Sequence, residues 1–119
     1  MRELLLDDLK ALLGDAGFIA LVQAFGGTRL YVPEKPQPDS ELVTAIGEEA
    51  ARRLTRRYAP DVLRVPLARE ELAIHYRAAG LSNRDIARKL RITETGVNKL
   101  FRRRPDTPVK GAAQLPLFD

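Results

Sequence analysis

Residues 82 to 103 read SNRDIARKLRITETGVNKLFRR. Counted from Ala87, apolar side chains stand one before it (Ile86) and three (Leu90), five (Ile92), ten (Val97) and thirteen (Leu100) after it. Two short helices can close on that set. Ser82 is a good N-cap with Asp85 three residues on, as in a capping box, which predicts a first helix from about Asn83 to Leu90. Thr93 repeats the signal and predicts a second helix from about Glu94 to Arg103. Arg91, Ile92 and Thr93 are then the three-residue turn of a helix-turn-helix. Ala87 falls at the crossing, where axes about 8 to 10 Å apart admit a small side chain and obstruct a Leu. The predicted core of this motif is Ile86, Ala87, Leu90, Ile92, Val97 and Leu100. Arg91 stands where a glycine is usual, and a left-handed conformation there would cost about 1 kcal/mol unless the packing of Ile92 offsets it.

With Val97 and Leu100 turned inward, the second helix presents Glu94, Thr95, Asn98, Lys99 and Arg102 outward, with Thr93 at its start. Asn can pair with adenine, Lys and Arg can donate to guanine, and Glu can accept from the cytosine amino group, so these six residues are expected to contact bases. Residues 82 to 104 hold eight basic side chains (Arg84, Arg88, Lys89, Arg91, Lys99, Arg102, Arg103, Arg104) against Asp85 and Glu94, a local net of +6. That charge suits phosphate contact, assigned to Ser82, Arg84, Arg88 and Arg103. The plainer alternative is a small helical core with a basic solvated face.

The 119-residue chain is 45% apolar, as an ordinary globular protein is, and is long enough for one or two small domains. It has no cysteine, which excludes a disulfide framework, a thiolate zinc site and a cysteine nucleophile. His75, the single histidine, lies in LAREELAIHYRAAG, a predicted helix where packing or solvent exposure explains it. No metal site, cofactor or catalytic constellation is suggested: there is no acid pair in a plausible site, no phosphate-cradling glycine loop and no nucleophile with a base partner. MRELLLDDLKALLG carries acids within its apolar stretch, so neither a signal peptide nor a membrane span is expected, and the chain reads as cytoplasmic.

The net charge of +4 is unevenly spread. Residues 1 to 40 carry four basic and six acidic side chains, 41 to 81 seven and six, and 82 to 119 nine and four. Pro60 to Pro66 interrupts the helical pattern. The expected organisation is an N-terminal domain over residues 1–59, a linker over 60–66, the helix-turn-helix domain over 67–104 and a flexible tail over 105–119.

In the N-terminal domain Leu5, Leu9, Leu12 and Leu13 form a helical stripe up to Gly14. A second stretch carries Ile19, Val22 and Phe25 before Gly26 and Gly27 stop it. Thr28, Arg29, Leu30, Tyr31 and Val32 are rich in strand formers, and Pro33 ends the run. Alternation puts Arg29 and Tyr31 on one face and Thr28, Leu30 and Val32 on the other. A lone strand needs a partner, and with no second strand evident, pairing with the same strand of a second copy of the chain is the simplest solution. Ser40 then caps a long helix with a Leu42, Ile46, Ala50, Leu54 stripe. Its other face carries Arg52, Arg53, Arg56 and Arg57, partly balanced by Glu48 and Glu49. The fold class expected is mainly α: a helical dimerisation domain with one short strand paired across the dimer, and a C-terminal helix-turn-helix domain.

A helix ending in ALVQAFGGTRLYVP, a long helix with LVTAIGEEAARRL and a C-terminal helix-turn-helix together resemble the Mor and C transcription activators of Mu-like bacteriophages and prophages, over roughly residues 15 to 104. The resemblance implies a homodimer with a shared helical and strand core flanked by two DNA-binding domains. It places the central strands near DNA, with Arg29 the preferred backbone contact. It further implies activation by recruitment of RNA polymerase, through either the sigma factor or the C-terminal domain of the polymerase α chain.

From Pro105, PDTPVKGAAQ has the composition of a linker, yet the chain goes on from its Gln114 to Leu115, Pro116, Leu117 and Phe118. QLPLF resembles the short peptide that binds the bacterial sliding clamp, with Gln114 making polar contacts and Leu115, Leu117 and Phe118 entering apolar pockets. This supplies a rival expectation: a replication-associated, DNA-binding adaptor that engages the sliding clamp.

Overall fold

The computed structural model describes residues 2 to 103. Among these the chain is mainly helical with one small two-stranded sheet: α1 Arg2–Phe25, β1 Arg29–Val32, α2 Glu41–Ile46, α3 Glu48–Tyr58, β2 Asp61–Arg64, α4 Arg69–Ala78, α5 Asn83–Leu90 and α6 Glu94–Arg102. It divides into two compact units, Met1–Ala68 and Arg69–Asp119.

In the first unit, α1 is broken at Gly14, whose φ of 75° and ψ of 173° belong to a region that in practice only glycine enters. The two helical stretches expected on either side of Gly14 are both present. Leu9, Leu13, Phe18, Leu21, Val22 and Phe25 are buried, and α1 packs on α2 and α3 through Leu42, Ala51 and Leu54. The long helix expected after Ser40 is two helices. Ser40 does cap the first, accepting from the Val43 N–H at 3.2 Å, but Gly47 with φ 89° and ψ 161° ends it after one and a half turns. A helical stripe cannot keep its phase across such a residue. Leu42 and Leu54 are buried as expected, whereas Ile46 and Ala50 are half-buried and Ala51 takes the inward position.

The strand has a partner within the chain, which corrects the premise that none exists. β1 pairs antiparallel with β2 in the register Arg29↔Arg64, Leu30↔Leu63, Tyr31↔Val62 and Val32↔Asp61. The pairing continues beyond the strands, with the Val65 N–H donating to Thr28 O at 2.9 Å and the Gly27 N–H to Val65 O at 2.8 Å. The backbone argument for pairing Thr28, Arg29, Leu30, Tyr31 and Val32 across a dimer therefore falls away. The segment 60–66, expected as a linker, is the second strand of the first unit, and the division between units comes after Ala68. Its alternation is plain once the pairing is known: Leu63 and Val65 are buried, Val62 and Arg64 exposed. Arg29 and Tyr31 share the outer face, and Val32 closes the inner one.

In the second unit, α4 packs against α5 and α6 around Leu72, Ala73, Ile86, Ala87, Leu90, Val97 and Leu100, all buried. Ile92, in the turn between α5 and α6, is half-buried, and His75 on α4 is exposed. Among the described residues, no helix is long and apolar enough to cross a membrane.

Candidate nucleic-acid interface

The termini of α5 and α6 form by the chemistry of their caps. Ser82 Oγ accepts from the Asp85 N–H at 3.1 Å, and Thr93 Oγ1 accepts from the Gly96 N–H at 2.9 Å, so each hydroxyl satisfies a donor that the helix itself leaves open. Arg91 ends α5 in the left-handed conformation, φ 61° and ψ 44°. The Ile92 N–H returns to the Ala87 carbonyl at 3.0 Å, and burial of part of the Ile92 side chain accompanies the bend. The turn thus adopts the glycine geometry with an arginine in it.

These constraints fix which side of α6 faces solvent. Val97 and Leu100 point inward, while Thr93, Glu94, Thr95, Asn98, Lys99 and Arg102 are all exposed. The six residues expected at base edges therefore lie along α6 and at its cap. Of the expected phosphate contacts, Arg84 and Arg88 are exposed and, like Lys99 and Arg102, have no carboxylate partner among the described residues. Ser82 is half-buried and engaged as a cap. Arg103 Nη2 lies 3.3 Å from Glu70 Oε2, so its charge is partly answered within the unit. Exposed pairs of this kind contribute little and can open for a stronger anion.

Three residues that sequence reasoning passed over complete this surface. Arg77 of α4 donates from Nη1 to Asn83 Oδ1 at 2.7 Å, and Asn83 Nδ2 donates to Asn98 Oδ1 at 2.8 Å. The Arg77 guanidinium carbon lies 4.7 Å from the centroid of the Phe101 ring, and its buried Nε has no hydrogen-bond partner. Positions 77, 83 and 98 lie on three different helices, so no periodic pattern in the sequence connects them. Nearby, the Lys89 ammonium sits 5.6 Å from the Tyr76 ring centroid.

The first unit carries its own cationic surface. Arg29, expected at the DNA backbone, shares the exposed sheet face with Tyr31, Val62 and Arg64, and neither arginine has a carboxylate partner among the described residues. Arg64 was missed because its strand was missed. The α3 arginines are mostly occupied: Arg52 and Arg53 bond Glu49 at 3.1 and 3.3 Å, and Arg57 grips Asp8 through Nε and Nη2 at 3.2 and 3.0 Å, while Arg56 is exposed and unpaired among the described residues. Arg104 and the clamp-like residues Gln114, Leu115, Leu117 and Phe118 lie outside the described residues.

Comparison with protein-family models, curated proteins and solved structures finds no match for this chain.

Proposed function

We propose that this chain is a sequence-specific DNA-binding transcription regulator in which α6 enters the major groove and α5 braces it against the backbone. The observation that carries the reading is the division of α6. Val97 and Leu100 are buried, and every residue expected at a base edge is exposed, on a face holding Lys99 and Arg102 without carboxylate partners among the described residues. A face that only needed hydration would serve equally well with its cations paired. Arg84 and Arg88 supply phosphate contacts that position the helix and carry no sequence information.

Dimerisation and activation by recruitment of RNA polymerase, as in a phage or prophage activator, rest on the resemblance to the Mor and C activators. Two copies would read a roughly symmetric site with half-sites one or more helical turns, about 10 bp each, apart. The test is selection of bound duplexes from a randomised library at moderate salt. An enriched symmetric site supports a dimeric regulator, and salt-sensitive binding without enrichment overturns the sequence-reading role. The QLPLF sequence supports a second reading, an adaptor of replication that holds DNA and the sliding clamp. Deleting Gln114 to Asp119 would then abolish clamp binding and leave DNA binding intact.

A further inference from the structure

The hydrogen bonds from Arg77 to Asn98 have a direction, and it is set at the buried end. A guanidinium carries donors and no acceptor. Asn83 must therefore face Arg77 with Oδ1, as it does at 2.7 Å, and this turns its Nδ2 toward Asn98. Asn98 answers with Oδ1 at 2.8 Å, leaving its own Nδ2, which has no partner among the described residues, on the exposed face of α6. The side-chain amide of Asn98 is thus oriented by a residue on a different helix and not by its own rotamer alone.

The contact of Arg77 with the Phe101 ring and its hydrogen bond to Asn83 stabilise the unit, but not without cost. Arg77 leaves a buried Nε without a partner, and an unsatisfied buried donor is a cost that a Met or Leu stacked on Phe101 would not incur. The arrangement reaches the surface at the exposed Asn98 amide, whose direction it sets. We infer that Arg77 and Asn83 are positioning residues that hold Asn98 as a hydrogen-bond donor, so that position 98 selects a base edge offering acceptors in the major groove. Guanine, with N7 and O6, fits best, and thymine O4 fits next. Reading adenine through both its N7 and its amino group needs Oδ1 as well as Nδ2 aimed at the base, and Asn83 Nδ2 competes for the direction of Oδ1.

The inference rests on α6 being the element that reads DNA, and its test separates the two. Asn98→Ala first locates the base concerned, as the position whose preference vanishes in library selection. Asn83→Asp is the decisive variant. Its carboxylate still accepts from Arg77, and an acid in the first turn of α5 suits the helix dipole, so folding is retained. It has no donor for Asn98, however, so the Asn98 amide turns over and presents Oδ1 outward. The expected result is a switch at that base from guanine or thymine toward adenine or cytosine, whose amino groups donate, with the preference ratio changing by roughly tenfold or more. The added negative charge lowers affinity for all sequences alike and leaves the ratio unaffected. Arg77→Met, which keeps the stem over Phe101, should relax the preference at that base and leave its neighbours unchanged.

A readout without DNA accompanies this. In the native chain one Asn83 side-chain amide proton should exchange more slowly with solvent than those of Asn98, and Asn83→Asp should slow one proton of Asn98. A native site selected with the same preference in Asn83→Asp overturns the inference and leaves DNA reading in place. No selected site in the native chain overturns DNA reading. An Asn98 amide that exchanges identically in both proteins then overturns the hydrogen-bond relay as well.

Discussion

Arg29 and Arg64 stand directly opposite each other across the β1–β2 ladder, both exposed and neither with a carboxylate partner among the described residues. Like charges at facing positions of an antiparallel pair oppose the pairing. Replacing Arg64 with Thr should stabilise the first unit by roughly 0.2 to 1 kcal/mol, read as a shift in its urea midpoint. If the pair serves phosphate, the same variant should bind DNA less tightly at every sequence and reduce the salt slope by about 1. A variant that gains stability with unchanged DNA affinity would remove this sheet face from the interface.

Mutation of the α6 face should divide by role. Asn98→Ala and Lys99→Ala are expected to lose discrimination between matched and scrambled sites by about five- to a hundredfold, whereas Arg88→Ala should weaken both alike. Arg103→Ala should weaken both less than Arg88→Ala does, because Arg103 must first leave Glu70. Titrations of one matched and one scrambled duplex measure all four.

The left-handed turn between α5 and α6 can be relaxed. Arg91→Gly removes the Cβ conflict at φ 61° and should stabilise the second unit by about 1 kcal/mol, monitored by thermal denaturation. Gly47→Ala is the opposite case. Nothing lies within 4 Å of a Cβ there, so the penalty, about 1 to 3 kcal/mol, would come from the backbone alone.

Tyr58 ties α3 to the first half of α1 by donating its hydroxyl to Asp8, beside the Arg57 pair. Burial, then the hydrogen bond to Asp8 and the negative charge of Asp8, push the Tyr58 hydroxyl from 10.0 up to about 12, with Arg57 opposing. A raised folded value means that the neutral hydroxyl stabilises the fold. Its contribution is complete below pH 10 and is lost as the pH rises through about 12. Denaturation midpoints should fall across that window in the native chain and fall less steeply in Tyr58→Phe.

The second unit was legible because its information is local. Caps at Ser82 and Thr93 and apolar spacing around Ala87 lie within a single stretch, and the helices begin where those caps stand. In the first unit the decisive signals were misleading or distant. Two prolines around residues 61–64 look like a break in helix and conceal a strand whose partner lies roughly thirty residues earlier, since pairing register is not written in either strand alone. Gly47 sits inside an uninterrupted apolar stripe, and a glycine there signals a break only through its φ and ψ. The candidate interface divided the same way. Its exposed side chains follow from helical period, whereas the link from Arg77 through Asn83 to Asn98 depends on three helices meeting and has no trace in spacing.

The brevity of α6 has a consequence best put in terms of information. Nine residues rise about 14 Å, which runs beside roughly four base pairs. Four fully specified base pairs carry about eight bits, while singling out one address among some 10⁶ competing sites takes about twenty. For a reader of DNA, one such helix is a syllable and not a word, and a second copy of the chain reading a second half-site would double its length.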